Sequence, residues 1–294
     1  LNLDAQVLDR IKTDISIETL TLSDEAKERS SNADVLFGVG MTSGILMYMF
    51  IFIYGMQIMQ GIIEEKNSKV VEVIVSSVKP FQLMMGKIVG LASVGLLQFL
   101  IWIILISTLS ALVLSLFGIQ MPQQEMAEQM SRQYQEGAQN PAAIQFMTTW
   151  NEIPFGHVVF SFLFYFLGGY LIYGALFAAV GASVDSPAEA QQFTFPITIP
   201  LLISYMSLFI FILDDPHGTI SVWLSIIPFT SPIAMTGRIA FNPPLWQEIL
   251  SMVLLIGGYI FTTWVAGRIY RVGILVHGSK VNYKVLAKWF MMKG

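Results

Sequence analysis

Five long runs of apolar residues constrain the fold of this chain more than any other feature of its sequence. The runs are residues 35–63, 88–117, 157–184, 193–213 and 245–267. Each is long enough to cross about 30 Å of hydrocarbon, which requires roughly 20 helical residues. Strands are excluded, because a barrel strand needs only about 9–11 residues and alternates apolar with polar side chains. Since a helix satisfies its backbone hydrogen bonds within lipid, the sequence predicts an all-α polytopic membrane bundle with five transmembrane helices.

The composition agrees with a membrane protein and excludes several other classes. Of the 294 residues, 54% are hydrophobic and 12% are charged, whereas a soluble domain carries about 25% charged residues. The net charge of -4 argues against a nucleic-acid partner. The chain has no cysteine, which excludes disulfides, thiolate metal sites and cysteine nucleophiles. Its histidines are far apart, and no serine has a histidine or aspartate partner at a suggestive spacing, so we predict no catalytic, cofactor or metal site.

The sequence contains no motif with which the chain itself could bind ATP. A P-loop requires a glycine that is followed, after four residues, by Gly-Lys and then serine or threonine. Gly86 and Lys87 are followed by Ile88, and Phe81 occupies the position of the first glycine. The apolar runs also lack charged residues near their centres, which proton-coupled and ion-coupled transporters use. Any pumping must therefore be driven from outside this chain, which agrees with an ATPase partner.

Basic residues predict the orientation of the five helices. Segment 64–87 and the C-terminal tail contain most of them, namely Lys66, Lys69, Lys79, Lys87, Arg268, Arg271, Lys280, Lys284, Lys288 and Lys293. With five spans, these two segments and the short loop 185–192 share one side of the membrane. The opposite loops, 118–156 and 214–244, contain one arginine each. Because cytoplasmic loops are enriched in lysine and arginine, we place the first side in the cytoplasm and residues 1–34 outside.

Segment 64–87 is charged and amphipathic, and it lies tightly between the first two runs. Its charged residues include Glu64, Glu65, Lys66, Lys69 and Glu72, and its valines form an apolar face. Glu65 and Lys69 stand four positions apart in the order that stabilises a helix, and Pro80 is expected to end that helix. Two interpretations are open. The segment is either an ordinary juxtamembrane helix with inward lysines or a helix that docks in a groove on a cytoplasmic partner.

Segment 214–244, between the last two runs, contains two shorter apolar pieces. Residues 220–227 and 233–241 have roughly ten residues each and are too short to span a bilayer. Such lengths are typical of re-entrant or interfacial segments, which are tolerated where protein or a water-filled cavity covers the backbone. We therefore predict re-entrant segments at the outer face, interrupted by Pro228 and by Ser231-Pro232.

One long, ordered pattern resembles a known family. Residues 64–90 read E-E-K-x-x-K-x-x-E-V-I-x-S-S-V-K-P-x-Q-L-M-x-G-K-I-x-G. This pattern is similar to that of the permease subunits of type 2 ABC exporters, the ABC-2 family, and is most similar to the sodium-efflux-type permeases. Further matches are Ser231-Pro232 with Arg238, and residues 268–275 after the last run. The resemblance covers residues 35–294.

The resemblance implies an architecture and a set of partners. It implies six spans per subunit, with a first helix and a large extracytoplasmic domain before residue 35. Residues 1–34 would then be the end of that soluble domain, and residues 35–294 the transmembrane domain. Residues 64–78 would form a coupling helix seated on an ATP-binding subunit, with Glu64, Glu65, Lys66, Lys69 and Glu72 as contacts. A second permease subunit, identical or different, would complete the path across a bacterial cell (inner) membrane.

The outer re-entrant segments would gate the exit of that path, with Pro228, Ser231, Pro232 and Arg238 as gate residues. The transported substrate is not specified. Sodium follows from the resemblance alone, and drugs, peptides or lipids stay open. A second class of function, a membrane scaffold or sensor that signals to a cytoplasmic partner, shares the same inner segment. It predicts no ATP-dependent flux, whereas a permease subunit requires it.

Overall fold

All the regular structure in the described part of the chain is helical. The computed structural model describes residues 21–116, 154–276, 278 and 281–291. The helices are α1 Thr21–Asn67, α2 Val70–Val75, α3 Pro80–Leu116, α4 Phe155–Ser183, α5 Pro187–Ser207, α6 Thr219–Ile226, α7 Ser231–Ile239, α8 Leu245–Gly273 and α9 Tyr283–Met291, with a π-helical turn at Leu208–Ile212. Residues 1–20, most of the predicted extracytoplasmic segment, lie outside the described residues.

The chain divides into two compact units. One consists of residues 1–38 and 121–154, and the other consists of residues 39–120 and 155–294. The described part of the first unit is the start of α1 together with Pro154. The second unit contains the rest of α1 and all the other helices.

Five helices are long and apolar enough to cross a membrane. They are Val35–Asn67, Pro80–Leu109, Gly156–Ser183, Pro187–Ile212 and Leu245–Gly273. Each overlaps one of the five predicted apolar runs, and no strand occurs among the described residues. The prediction of an all-α polytopic membrane bundle is therefore confirmed.

The helices extend beyond the apolar runs, because helical hydrogen bonding continues into polar residues at the membrane edge. α3 begins at Pro80 and α5 at Pro187, ahead of the apolar runs. The N-cap of α5 is Ser186, whose hydroxyl accepts a hydrogen bond from the Glu189 N–H at 3.3 Å. Pro187 occupies the first helical position, where no N–H is needed. Apolar length therefore marks what crosses the lipid, whereas capping residues mark where the helix begins.

α4 is the central helix of the bundle. In its most apolar segment 67% of the residues are buried, against 17% to 33% in the other four candidate spans. It packs along α8 and also contacts α3, α5 and α7. Glycines allow α1 to approach it closely: a Cβ at Gly181 would lie 2.7 Å from the Met59 carbonyl oxygen, and one at Gly174 would lie 2.9 Å from Ile58 Cδ1.

α5 remains helical through two internal prolines, Pro196 and Pro200. A proline removes the hydrogen bond to the carbonyl four residues earlier. For Pro196 that carbonyl belongs to Gln192, and its oxygen accepts a hydrogen bond from the Tyr283 hydroxyl at 2.8 Å. α9 thus supplies a donor that the proline removes from α5, which is one way in which a membrane helix tolerates proline.

α6 and α7 occupy the connection between α5 and α8. Every residue of α7 is buried, and this helix contacts α4, α5, α6, α8 and the π-helical turn. The non-helical link 227–230 is satisfied by the long helices. Tyr173 OH donates to Phe229 O at 2.6 Å, and Ser204 Oγ donates to Thr230 O at 2.7 Å. Backbone covered by protein in this way agrees with the predicted re-entrant segments.

Candidate functional site

The connection between α1 and α3 is the first candidate site, and it is not one helix. α1 ends at Asn67, and Lys69 has φ 58°, in the left-handed region that few residues other than glycine adopt. α2 then covers only Val70–Val75. The prediction of a single coupling helix over residues 64–78 is therefore wrong. The chain instead forms the last turn of α1, a tight turn and a short helix.

Local hydrogen bonds explain why the predicted helix is interrupted. Ser68 Oγ donates to the Glu65 carbonyl at 3.0 Å, so a side chain competes with the helical N–H for that acceptor. The turn also removes the predicted pairing of Glu65 with Lys69, and Glu65 Oε1 lies 2.7 Å from Lys87 Nζ instead. Pro80, which was expected to end the helix, begins α3, where its fixed φ and missing N–H suit the first position.

Lys66 is fully buried, so the prediction that it contributes to an exposed contact surface is wrong. Its Nζ lies 2.9 Å from Asp185 Oδ1 and donates to the carbonyl oxygens of Ala182, at 2.9 Å, and Val184, at 3.3 Å. A buried ammonium requires a counter-charge and hydrogen bonds, because desolvation of an unpaired charge is costly. Lys66 therefore joins the end of α1 to the connection between α4 and α5.

Asp185 also binds the C-terminal segment. Its Oδ2 accepts a hydrogen bond from the Gly278 N–H at 2.6 Å. Gly278 has φ 70°, a conformation that a residue with a Cβ adopts only with strain. Lys66, Asp185 and Gly278 belong to the three segments that basic residues predict to share one side of the membrane. The structure brings these segments together at one end of the bundle, which we call the inner end.

The exposed part of the inner connection includes apolar and basic side chains beside polar ones. Its exposed apolar and basic side chains, which we call the inner docking surface, are Lys69, Val70, Val73, Val78, Lys79 and Phe81. Val73 is 72% exposed, whereas Val71 on the same short helix is buried in the core. An apolar face that stays exposed on an otherwise anchored element is typical of a protein–protein contact.

The structure brings the predicted coupling residues together only in part. Glu64 and Lys69 are exposed, and Glu65 is half-buried. Lys66 points into the bundle, as described above, and the Glu72 side chain lies outside the described residues. Three valines, Val70, Val73 and Val78, are exposed in the same connection.

Arg238, a predicted gate residue, is fully buried at the opposite end of the bundle, which we call the outer end. Its Nε donates to Pro216 O at 2.6 Å, its Nη2 to Gln247 Oε1 at 2.8 Å, and its Nη1 to Ser225 Oγ. Burial lowers the pKa of Arg238 to about 10, so the guanidinium is charged at neutral pH. One side chain therefore fixes the link between α5 and α8 from three directions.

The other predicted gate residues pack in the same region. A Cβ at Gly258 would lie 2.7 Å from Pro228 Cβ, and one at Gly169 would lie 2.7 Å from Pro232 Cβ, so both prolines fill space that glycine leaves. Ser231 is buried, and its hydroxyl has no hydrogen-bond partner among the described residues. Because the region is closed by packing, a gate here would open only by separation of α7 from α4.

A buried carboxylate at the outer end was not predicted from the sequence. Glu248, in the first turn of α8, accepts a hydrogen bond from Ser161 Oγ at 2.7 Å, and its Oε2 lies 2.9 Å from His157 Nε2. Tyr165 OH donates to the Glu248 carbonyl at 3.3 Å. The sequence held one indication of this contact. His157 and Glu248 lie at the starts of two apolar runs, and the predicted orientation places both starts on the same side of the membrane. Among the described residues, no group of three or more acidic, histidine or cysteine side chains could hold a metal ion.

Sequence comparisons relate the chain to known proteins. Residues 3–268 match the family described as ABC-2 family transporter protein. The chain is 24% identical over 291 residues to the uncharacterized protein MJ1024 of Methanocaldococcus jannaschii. The aligned residues make up 99% of this chain and 62% of that protein. It is also 24% identical over 255 residues to the uncharacterized protein YhaP of Bacillus subtilis, and these residues make up 84% of this chain and 55% of that protein. No solved structure matches.

The family match and the fold lead to the same assignment. The chain spans less than two thirds of the length of either relative, but the family match covers nearly all of the chain. The helices that could cross a membrane, and the tight inner connection between the first two of them, are what a multi-pass permease needs. The chain therefore belongs to the ABC-2 family of transporter proteins, as a multi-pass membrane permease.

Proposed function

We propose that this chain is the transmembrane subunit of an ATP-driven exporter, and that a separate ATP-binding subunit docks on its inner docking surface. The observation that carries the proposal is the exposed apolar and basic face of α2 and its flanking turns, between two candidate spans. Val73 stands out of a helix whose other face is anchored through Val71, as a contact residue would. The sequence has no P-loop, so ATP and Mg²⁺ are assigned to the partner.

Short connections make α2 a lever on the bundle. Residues 68–69 link it to α1, and residues 76–79 link it to α3. When two ATP-bound subunits close, a displacement of α2 is transmitted directly to the first two candidate spans. Lys66 lies at the end of α1, so the same displacement acts on its ion pair with Asp185. The bundle then shifts between inward-facing and outward-facing states.

The outer end supplies the other half of this cycle. Pro228, Ser231, Pro232 and Arg238 are assigned to an outer gate that opens when α7 separates from α4. A second permease subunit, identical or different, pairs with this one to complete the path. The proposed cargo is sodium or a drug-like small molecule, on the resemblance to sodium-efflux-type permeases, and the proposed location is a bacterial cell (inner) membrane. On the predicted orientation, residues 1–34 belong to an extracytoplasmic domain.

Photo-crosslinking at the inner docking surface tests the docking. A benzoylphenylalanine in place of Val73, in cells that produce the chain, should capture a protein that contains a P-loop, identified by mass spectrometry. The matched control is Ile210, which is 58% exposed in the π-helical turn and should capture no such protein. Equal capture from both positions, or no P-loop protein at Val73, would refute docking at this surface.

Flux measurements in vesicles separate a permease from a membrane scaffold or sensor. Inverted vesicles that contain the chain and its ATP-binding partner should accumulate radioactive sodium or an efflux substrate only when ATP is supplied. Deletion of residues 70–75 removes α2 and should abolish that flux. A scaffold or sensor would instead bind the partner with no ATP-dependent flux in either form.

A further inference from the structure

A cavity of about 160 Å³ lies at the inner end, between α4, α5, α8 and α9. Its walls include Ala179 and Val180 of α4, Phe193 of α5, Ile269 of α8, and Tyr283 and Leu286 of α9. A cavity of about 150 Å³ lined by aliphatic and aromatic side chains stays dry and can bind benzene. The space is therefore large enough for several methylene groups of a hydrocarbon chain.

The polar atoms near the cavity have partners inside the protein. Ser183 Oγ donates to Ala179 O at 2.6 Å, and Tyr283 OH donates to Gln192 O at 2.8 Å. The rest of the wall is apolar, so it offers an occupant van der Waals contact but no hydrogen bond. Such a wall selects hydrocarbon over a hydrated ion or a polar solute.

One side of the cavity is formed by residues at the lipid-facing surface of α5. Pro196 lines the cavity and is exposed, and the neighbouring Phe195 is 64% exposed. Exposed apolar side chains on a membrane-spanning helix face acyl chains rather than water. The cavity is therefore reached from the hydrocarbon of the bilayer.

α9 covers the inner edge of the cavity and is held to the bundle at both ends. The start of this helix is held by the hydrogen bond to α5 described above. Trp289, near its end, is buried against Gly273, and Arg268 Nη1 donates to the Phe290 carbonyl at 3.2 Å. A short amphipathic helix held in this way lies along the membrane interface, at the level of the lipid head groups.

The chain around α9 is uniformly basic. Residues 268–291 contain five lysines and arginines and neither aspartate nor glutamate. Lys284 and Lys288 are exposed on α9. Asp185, which contacts this part of the chain, is already engaged by Lys66. Such a charge distribution complements an anionic lipid head group and gives no preference to a zwitterionic one.

We propose that this cavity binds part of one acyl chain of an anionic phospholipid, whose head group lies beside the exposed lysines of α9. The acyl chain enters past Pro196 and contacts Ala179 and Leu286, and the phosphate is attracted by Lys284 and Lys288. The apolar wall and the basic rim act together. A free anion gains nothing from the cavity, and an uncharged hydrocarbon gains nothing from the lysines.

Filling the cavity tests the site in the purified chain. In detergent micelles titrated with phosphatidylglycerol, native mass spectrometry should show one retained lipid. Ala179→Leu should lower retention about tenfold, which corresponds to lost contact with roughly two methylene groups. Ala287→Leu makes the same change at an exposed position of α9 and should leave retention unchanged. Undiminished retention in a folded Ala179→Leu variant would overturn the proposal.

A thiol at the same position gives a second measurement that does not depend on folding around a larger side chain. The chain has no cysteine, so Ala179→Cys introduces a single reactive group. Phosphatidylglycerol should slow its reaction with decyl methanethiosulfonate about tenfold, because the bound lipid occupies the cavity that the reagent must enter. The protein that carries the decyl group as a mixed disulfide should no longer retain the lipid. A reaction rate that is indifferent to phosphatidylglycerol would contradict the assignment.

Head-group selectivity distinguishes an anionic phospholipid from other hydrocarbons. Phosphatidylglycerol should be retained in preference to phosphatidylcholine with the same chains. Replacing Lys284 or Lys288 by glutamine should reduce this preference about fivefold for each lysine. Equal retention of the two phospholipids, or retention of free palmitate as strong as that of phosphatidylglycerol, would overturn the choice of ligand.

Discussion

The two ends of the bundle each bury a positive charge completely, and they compensate it in different ways. At the inner end Lys66 lies against the Asp185 carboxylate and two carbonyl oxygens. At the outer end Arg238 donates to three neutral acceptors. A guanidinium spreads its charge over a rigid fork of donors, so neutral oxygens can satisfy it, whereas a compact ammonium is strongly hydrated and needs a counter-charge when buried.

The two contacts also differ in what they join. The acceptors of Arg238 lie at most 22 positions away in the sequence, so this contact stabilises a local part of the fold. The carbonyl acceptors of Lys66 lie 116 and 118 positions away, and Asp185 binds Gly278 across a further 93 positions. The residues that Arg238 joins can therefore move as one body. The contact of Lys66 with Asp185, by contrast, must break or shift if the distant segments that it joins separate.

The largest effect is expected when the inner counter-charge is removed. Asp185→Asn leaves the buried Lys66 ammonium without its carboxylate and should lower the free energy of unfolding by about 3 kcal/mol. Thermal unfolding in detergent measures the loss. Glu189→Gln changes an exposed carboxylate in the first turn of α5 and should cost no more than about 0.5 kcal/mol.

The double variant Lys66→Met with Asp185→Asn sharpens this result. It removes the stranded charge, so it should recover part of the stability that Asp185→Asn loses. The double variant could instead lose more free energy of unfolding than the two single variants lose together. The pair would then not be an ion pair that compensates a buried charge.

A somewhat smaller effect is expected at the outer end. Arg238→Met should cost about 2 kcal/mol, because Pro216 O and Gln247 Oε1 lose buried donors while the desolvation of a charge is relieved. Arg238→Lys should recover little of this, since one ammonium cannot reach acceptors in three directions. Arg271→Met, at an exposed position, is the control for the same thermal unfolding measurement. Full rescue by lysine would mean that charge, rather than the geometry of the fork, holds the outer end.

Two glycines should respond differently to the same substitution. A Cβ at Gly169 would lie 2.7 Å from Pro232 Cβ, so Gly169→Ala should destabilise the outer end by about 1 kcal/mol. A Cβ at Gly257 would meet open space, so Gly257→Ala should be neutral or stabilising by up to about 0.5 kcal/mol. Equal unfolding temperatures for the two variants would show that α7 is not held against α4 by this packing.

The smallest effect is expected from the second ion pair of the inner end. Glu65 Oε1 and Lys87 Nζ are 2.7 Å apart, but the Glu65 side chain is 37% exposed to solvent, so a double-mutant cycle with glutamine should give a coupling of about 0.5 kcal/mol. High salt should reduce it further, because screening acts on exposed charges. A coupling as large as that of Lys66 with Asp185 would contradict the view that burial, and not pairing alone, distinguishes the inner contact.

The spanning helices could be predicted because lipid acts on every residue of a run in the same way, so local hydropathy is a sufficient signal. The break after Asn67 could not be predicted in this way. Residues 64–78 have a helix-forming pattern, and the turn at Lys69 accompanies the burial of Lys66 against a residue that is distant in the sequence. Tertiary contacts of this kind override local propensity and leave no periodic trace.

The candidate site shows the same division. Arg238 could be selected because it matches the family pattern together with Ser231-Pro232, but nothing in the sequence marks its neutral acceptors. The contact of Glu248 with His157 depends on which faces of α4 and α8 meet, which composition does not specify. Residues that belong to a family pattern can therefore be found from the sequence, whereas their partners require the packed helices.

The hydrogen bond from Gly278 to Asp185 bears on how this protein can be engineered. The backbone amide and the Lys66 ammonium share one carboxylate, one oxygen each. Truncation ahead of residue 278 would remove one of the two and loosen the anchorage of the first span. A fluorescent reporter or an affinity tag should accordingly follow α9 rather than replace it.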